Sequence, residues 1–268
     1  MNALKRNNVN IIGSGDQAIM FAHGYGCDQS MWRSVVPSFA NDFEVILFDY
    51  VGSGASDSSA FDQNRYSTLH GYAQDVLDIL AELKLERPVH FVGHSVSSMI
   101  GALASITEPK RFETLTMVGP SPHYINETGY FGGFDRRDID SLLESLESNH
   151  VAWSATMAPV IMGNTERPEL TEELEASFCR MDPFLAHHFA RVTFLSDNRN
   201  DLPLVQTRTL ILQCQNDAIA GLRVGEYVHQ CIGNSQFVIM DARGHCPHMS
   251  APKEVSQKIR RFLQERMT

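Results

Sequence analysis

The sequence predicts a doubly wound α/β fold with a mostly parallel sheet and a helical insert, on three observations. Short apolar runs recur along the chain without internal alternation, amphipathic stretches lie between several of them, and the pattern breaks off once, between about 121 and 199. Runs that are apolar at every position suit strands covered on both faces, whereas a strand with one wet face would alternate. Strands that take turns with helices belong to a layered α/β architecture.

Taken in chain order, Val9-Asn10-Ile11-Ile12 is expected as an edge strand, turned by Gly13-Ser14-Gly15. Sheet strands are expected at 18–21, 45–48, 89–92, 115–118, 210–212 and 237–240. Tyr72, Val76, Leu77, Leu80 and Leu83 share one helical stripe, and Val255, Ile259, Phe262 and Leu263 share another. Within the break, helical patterning covers Leu142, Leu143 and Leu146, then 151–162, 170–179 and 185–195. Asp135, Thr171 and Asp182 are suitable helix starts, and Pro183 fits a first turn. The expectation is one domain, with a core at 1–120 and 200–268 and a helical lid at about 121–199. Such an insert would sit over the carboxyl ends of the strands, where open α/β sheets bind ligands.

Composition narrows the function. With 43% apolar and 20% charged residues in 268, the chain is an ordinary globular one, and no internal repeat or low-complexity segment appears. The formal charge of −10 offers no attraction to nucleic acid or to an anionic membrane surface. The first eight residues lack the apolar stretch of a secretory signal, and no run approaches the roughly 18 apolar residues of a membrane span. Five cysteines without a Cys-x-x-Cys pair read as reduced thiols in a cytoplasmic protein.

The chemistry centres on Gly93-His94-Ser95-Val96-Ser97, which follows one apolar run and opens a helical one. A serine at such a strand-to-helix turn stands clear of the sheet, with backbone N–H groups and a helix N-terminus nearby: a nucleophile elbow. Its hydroxyl needs a base, and the base needs an anionic partner. Asp217 lies just past the run at 210–212, and His245 just past the run at 237–240, so both are expected at the sheet edge that carries Ser95. Asp241 and Asp197 are poorer candidates for the acid. His248 competes with His245 but is expected to make a structural hydrogen bond, and His94 to pack or hydrogen-bond beside the nucleophile. The oxyanion donors would be the N–H groups of Val96 and of Tyr25, in His23-Gly24-Tyr25-Gly26. Gly52-Ser53-Gly54 lacks the following Lys-Ser/Thr of a phosphate loop and is expected as a tight turn. His187-His188 cannot share a helix face, and Cys246-Pro247-His248 has no evident further ligand, so neither a metal nor another cofactor is expected.

These motifs resemble the α/β-hydrolases over nearly the whole chain. More narrowly the sequence resembles the RsbQ-type regulators of the sigma-B energy-stress response and the related plant karrikin and strigolactone receptors. The resemblance is carried by residues 23–29, 47–54, 65–69, 71–76, 118–122 and 242–250. It implies a serine hydrolase core, a four-helix lid over a small apolar pocket, and hydrolysis that serves signalling through a sensor phosphatase. By position it places the triad on Ser95, Asp217 and His245, and suggests Tyr25, Tyr124, Phe134, Trp153, Met157, Phe194 and Ile219 as pocket walls. Ser97-Ser98 departs from the Gly-Ala often found at those positions in this group, which bears on helix packing and pocket polarity.

Overall fold

The computed structural model describes residues 2–265. Its sheet has seven strands: β1 (Asn10–Ile12), β2 (Ala18–Ala22), β3 (Glu44–Leu47), β4 (Val89–His94), β5 (Phe112–Val118), β6 (Arg208–Cys214) and β7 (Ser235–Met240). Their spatial order is β1-β3-β2-β4-β5-β6-β7, with β1 antiparallel and the others parallel to their neighbours. Around the sheet run α1 (Ala3–Arg6), α2 (Leu69–Leu83), α3 (Val96–Thr107), α4 (Arg136–Ser148), α5 (His150–Met162), α6 (Pro168–Arg180), α7 (Pro183–Phe194), α8 (Leu222–Cys231), α9 (Pro247–Ser250) and α10 (Pro252–Gln264).

The uninterrupted apolar runs have a direct cause. Ile19, Phe21, Val45, Leu47 and Val92 face one buried layer, while Met20, Ala22, Ile46, Phe48, Val89 and Phe91 face the other. Successive side chains of a strand point to opposite faces, so two covered faces demand an apolar residue at every position. The two edge strands are the exceptions: β1 is exposed at all its positions, and in β7 Ile239 is 46% exposed. Chain order and spatial order part company at β2, which has β3 on one side and β4 on the other. The loops leaving β2 and β4 therefore diverge from a switch point, the crevice in which α/β sheets bind ligands.

Helices α4 to α7 fill the stretch between β5 and β6. Asp135 caps α4 through a capping box with Asp138, and Asp182 caps α7 by accepting from the Phe184 and Leu185 N–H groups. Thr171 does not start a helix. Proline 168 opens α6 instead, because a first-turn proline sacrifices an N–H that would have no intrahelical partner anyway, and Thr171 falls inside. A bridge between His123 and Asp197 ties the two ends of the insert together. No described helix is long and apolar enough to cross a membrane.

Candidate active site

Ser95 leaves β4 with φ 55° and ψ −121°, a left-handed backbone that a non-glycine residue adopts only under constraint. The constraint is visible: its N–H donates to Val118 O at 2.8 Å, which ties the turn to the end of β5. The turn also needs close approach of strand and helix, since a Cβ on Gly93 would lie 2.4 Å from Ser97 O. Ser97 itself is fully buried, donates its hydroxyl to His23 O and lies 2.9 Å from the Tyr50 hydroxyl. Its polarity is thus absorbed beneath the loop after β2 and does not reach the cavity.

His245 follows β7 in a loop whose shape depends on Gly244. That residue has φ 76°, and a Cβ there would fall 1.9 Å from Met162 O. The His245 N–H donates to Ile161 O at 2.8 Å, and Asn164 donates to the carbonyls of Met162 and Arg243. The end of α5 therefore holds the loop that carries the imidazole. Asp217, in the turn after β6, accepts on Oδ1 from the Ile219 and Ala220 N–H groups at 2.8 and 2.9 Å. Its other oxygen is 2.7 Å from His245 Nδ1, and His245 Nε2 is 2.8 Å from Ser95 Oγ. A carboxylate only accepts, so Nδ1 bears the proton and Nε2 offers its lone pair to the serine hydroxyl. All three side chains are buried.

The loop after β2 is set by His23. Its Nδ1 donates to Gly24 O at 2.9 Å, which leaves Nε2 to accept the Tyr50 N–H at 3.1 Å. Burial pushes its pKa below the ordinary imidazole value, in keeping with a neutral ring that does both. Among the described residues, the Tyr25 N–H donates to no other group, and Val96, at the first position of α3, has no preceding turn to bond to. Asp49 accepts from the Gln29 and Ala55 N–H groups and the Asn8 amide, so its loop is a carboxylate-knotted turn rather than an anion cradle.

Behind His245 the structure gathers His94, Cys246 and His248, with one ligand-type atom of each within 4.8 Å of the others. The pair Cys246 and His248 thus does have a third neighbour, which the sequence hid because it arrives from β4. Burial, with the neighbouring imidazoles, drives His94 well below its ordinary pKa; it lowers His248 to about 3 and raises the Cys246 thiol well above its usual value. The neutral His94 donates Nε2–H to the His245 carbonyl at 2.7 Å. The His248 side chain makes no hydrogen bond among the described residues, contrary to the expectation; its ring packs against Trp32 and His94, with centroids 4.7 and 4.4 Å away. Three uncharged groups back the imidazole and leave it without a competing cation.

Ser95 and His245 open into a narrow cavity, in which the centre of a water-sized sphere has about 30 Å³ of free space. Tyr25, Tyr124, Phe194 and Ile219 line it, as do Cys27, Ile161, Leu174, Phe178 and Thr193, which the sequence did not single out. Leu174 and Phe178 share the buried stripe of α6, so helical spacing could have flagged them. Phe134, Trp153 and Met157 are not in this lining; Trp153 stands edge-on behind Tyr25, with ring centroids 6.0 Å apart. The larger surface groove bordered by Thr68, His188 and Arg191 contains none of the three hydrogen-bonded residues.

The profile of the Alpha/beta hydrolase family matches residues 19–258. The chain belongs to the alpha/beta hydrolase family. It is 40% identical over 258 residues to the karrikin insensitive 2 receptor CA of Petunia hybrida, covering 96% of this chain and 95% of that one. It is 36% identical to strigolactone esterase D14 of Arabidopsis thaliana, over 98% of each chain. The solved structure of a hydrolase from Oleispira antarctica is similar, with a TM-score of 0.96 and 43% identity over 99% of this chain and 97% of that one. Family and esterase relatives together make this alpha/beta hydrolase an enzyme of the hydrolase class.

Proposed function

We propose that this hydrolase is a cytoplasmic serine esterase or lactonase for a small, mostly apolar ligand, and that Ser95, His245 and Asp217 are its catalytic triad. One observation carries the reading: the continuous hydrogen-bonded series Asp217–His245–Ser95 ends in a cavity walled by aromatic and aliphatic side chains. Ser95 Oγ attacks the carbonyl carbon while His245 Nε2 takes its proton, and Asp217 stabilises the imidazolium. The Tyr25 and Val96 N–H groups hold the oxyanion. His245 then returns the proton to the departing alcohol oxygen, and water, deprotonated by His245, releases the acid. Helices α4 to α7 act as the lid. The chemistry needs no metal or other cofactor.

Ser95→Ala is expected to lower kcat by about 10⁶-fold and to abolish covalent labelling by an active-serine phosphonate. Mass spectrometry of the labelled protein checks it, and undiminished labelling of the variant would remove Ser95 from the mechanism.

A second reading, in which hydrolysis serves signalling, is supported by the receptor named among the relatives. In its RsbQ-type form, an occupied lid would recruit a sensor phosphatase of the sigma-B stress pathway. Pull-down with wild-type and Ser95→Ala protein, with and without ligand, separates the readings. Fast turnover with no partner in any state favours a metabolic carboxylesterase, and activity on diketones a C–C bond hydrolase.

A further inference from the structure

Two buried polar atoms of the residues lining the cavity, His94 Nδ1 and Thr193 Oγ1, have no partner among the described residues. Thr193, in the last turn of α7, is 1% exposed, and its Oγ1 makes no hydrogen bond among the described residues. A helical threonine commonly returns its hydroxyl to the carbonyl one turn back, as Thr107 does to Leu103 O and Thr156 to Ala152 O, both at 2.9 Å. Thr193 does not, and it lines the cavity with Ser95 and His245.

The polar groups of that wall around the nucleophile are engaged or covered. Ser95 Oγ meets His245, and the Tyr124 hydroxyl lies beside Ser95. His94 Nε2 donates to the His245 carbonyl, and Nδ1 is turned onto Gly24, where a Cβ would fall 2.5 Å away. A hydroxyl left unpaired in a buried wall is destabilising unless something entering the cavity completes it. In the remainder of the wall Ile161, Leu174, Phe178, Phe194 and Ile219 have no polar side-chain atom to offer, and Tyr25, Cys27 and Cys246 make no hydrogen bond to Thr193 among the described residues.

We propose that Thr193 determines specificity by donating a hydrogen bond to a second oxygen of the substrate. The preferred ligand is then a small ester or lactone that carries one further ether, carbonyl or hydroxyl oxygen in an otherwise apolar frame. An apolar analogue of the same shape strands the hydroxyl, which is how a buried polar group discriminates between isosteres. The proposal rests on hydrolysis at Ser95, and its test separates the two.

Two isosteric pairs serve as probes: p-nitrophenyl pentanoate against p-nitrophenyl 3-methoxypropanoate, and butyl acetate against 2-methoxyethyl acetate. They place the ether oxygen in the acyl chain and in the alcohol, respectively. After correction for rates with hydroxide, the wild type is expected to favour the ether member of one pair by about tenfold in kcat/KM. Thr193→Val, which keeps the shape and removes the donor, erases the preference; Thr193→Ser retains it. Dissociation constants on Ser95→Ala show the same preference without turnover. Ratios unchanged by Thr193→Val, or no ether preference in either pair, overturn the proposal. If the wild type hydrolyses no ester, the esterase reading falls, and the dissociation constants alone still decide Thr193.

Discussion

At the scale of single residues, the site depends on which atoms hold protons. Asp217 has one oxygen committed to two backbone N–H groups and the other to His245 Nδ1, so the imidazole is presented in one tautomer. Asp217→Asn would turn an amide N–H or a weaker acceptor toward Nδ1 and favour the tautomer that cannot take the serine proton. We expect kcat to fall about 10⁴-fold with the fold intact, measured on an activated ester; retention of full activity would show that Asp217 does not orient the base. Ser95, Asp217 and His245 were legible because each sits just past an apolar run, and parallel strands deliver all such loops to one edge. The cavity wall was less so. Trp153 and Met157 have the composition of lining residues yet lie outside it, while Thr193 carries no compositional signal and is placed by the rotation of α7.

At the scale of elements, strand and helix assignments followed from periodicity, and their ends did not. β5 begins at Phe112 and β6 at Arg208, before the densest apolar residues, because ladder hydrogen bonds extend wherever a neighbour is available. The short helix opening with Pro247 follows directly on the His245 loop. That loop is the element on which activity should be most sensitive: Gly244 is both in a positive-φ conformation and against the Met162 carbonyl. Gly244→Ala is expected to lower kcat/KM by at least about 10²-fold by displacing the imidazole, while circular dichroism stays that of the folded protein. Wild-type activity in this variant would mean that the contact between α5 and the loop does not position His245.

At the scale of the whole molecule, buried imidazoles set the response to acid. Burial lowers the pKa of His23 and His94, takes His90 to about 4 and His248 to about 3. Their unfolded-state value is near 6.5, so below that pH the unfolded chain binds protons that the folded chain refuses. Stability is therefore full above about pH 6.5 and declines as pH falls toward 4, by as much as about 1.4 kcal/mol per pH unit for each such group. Urea midpoints between pH 7.5 and 4.5 should fall on acidification, and a flat profile would contradict neutral burial of these rings.

The sequence by itself determined the layer architecture, the helical character of the insert and the three side chains brought into hydrogen-bonding series. Local periodicity and the position of a residue just after a strand are enough for those. Only the tertiary structure decided what surrounds them: that His94 joins Cys246 and His248 behind the imidazole, that Ser97 spends its hydroxyl under the loop after β2, and that Thr193 lines the cavity with its hydroxyl unpaired among the described residues. Each of these depends on side chains from distant segments meeting at atomic distances, and the helices that bring them together pack by shape rather than by any pattern written along one stretch of chain.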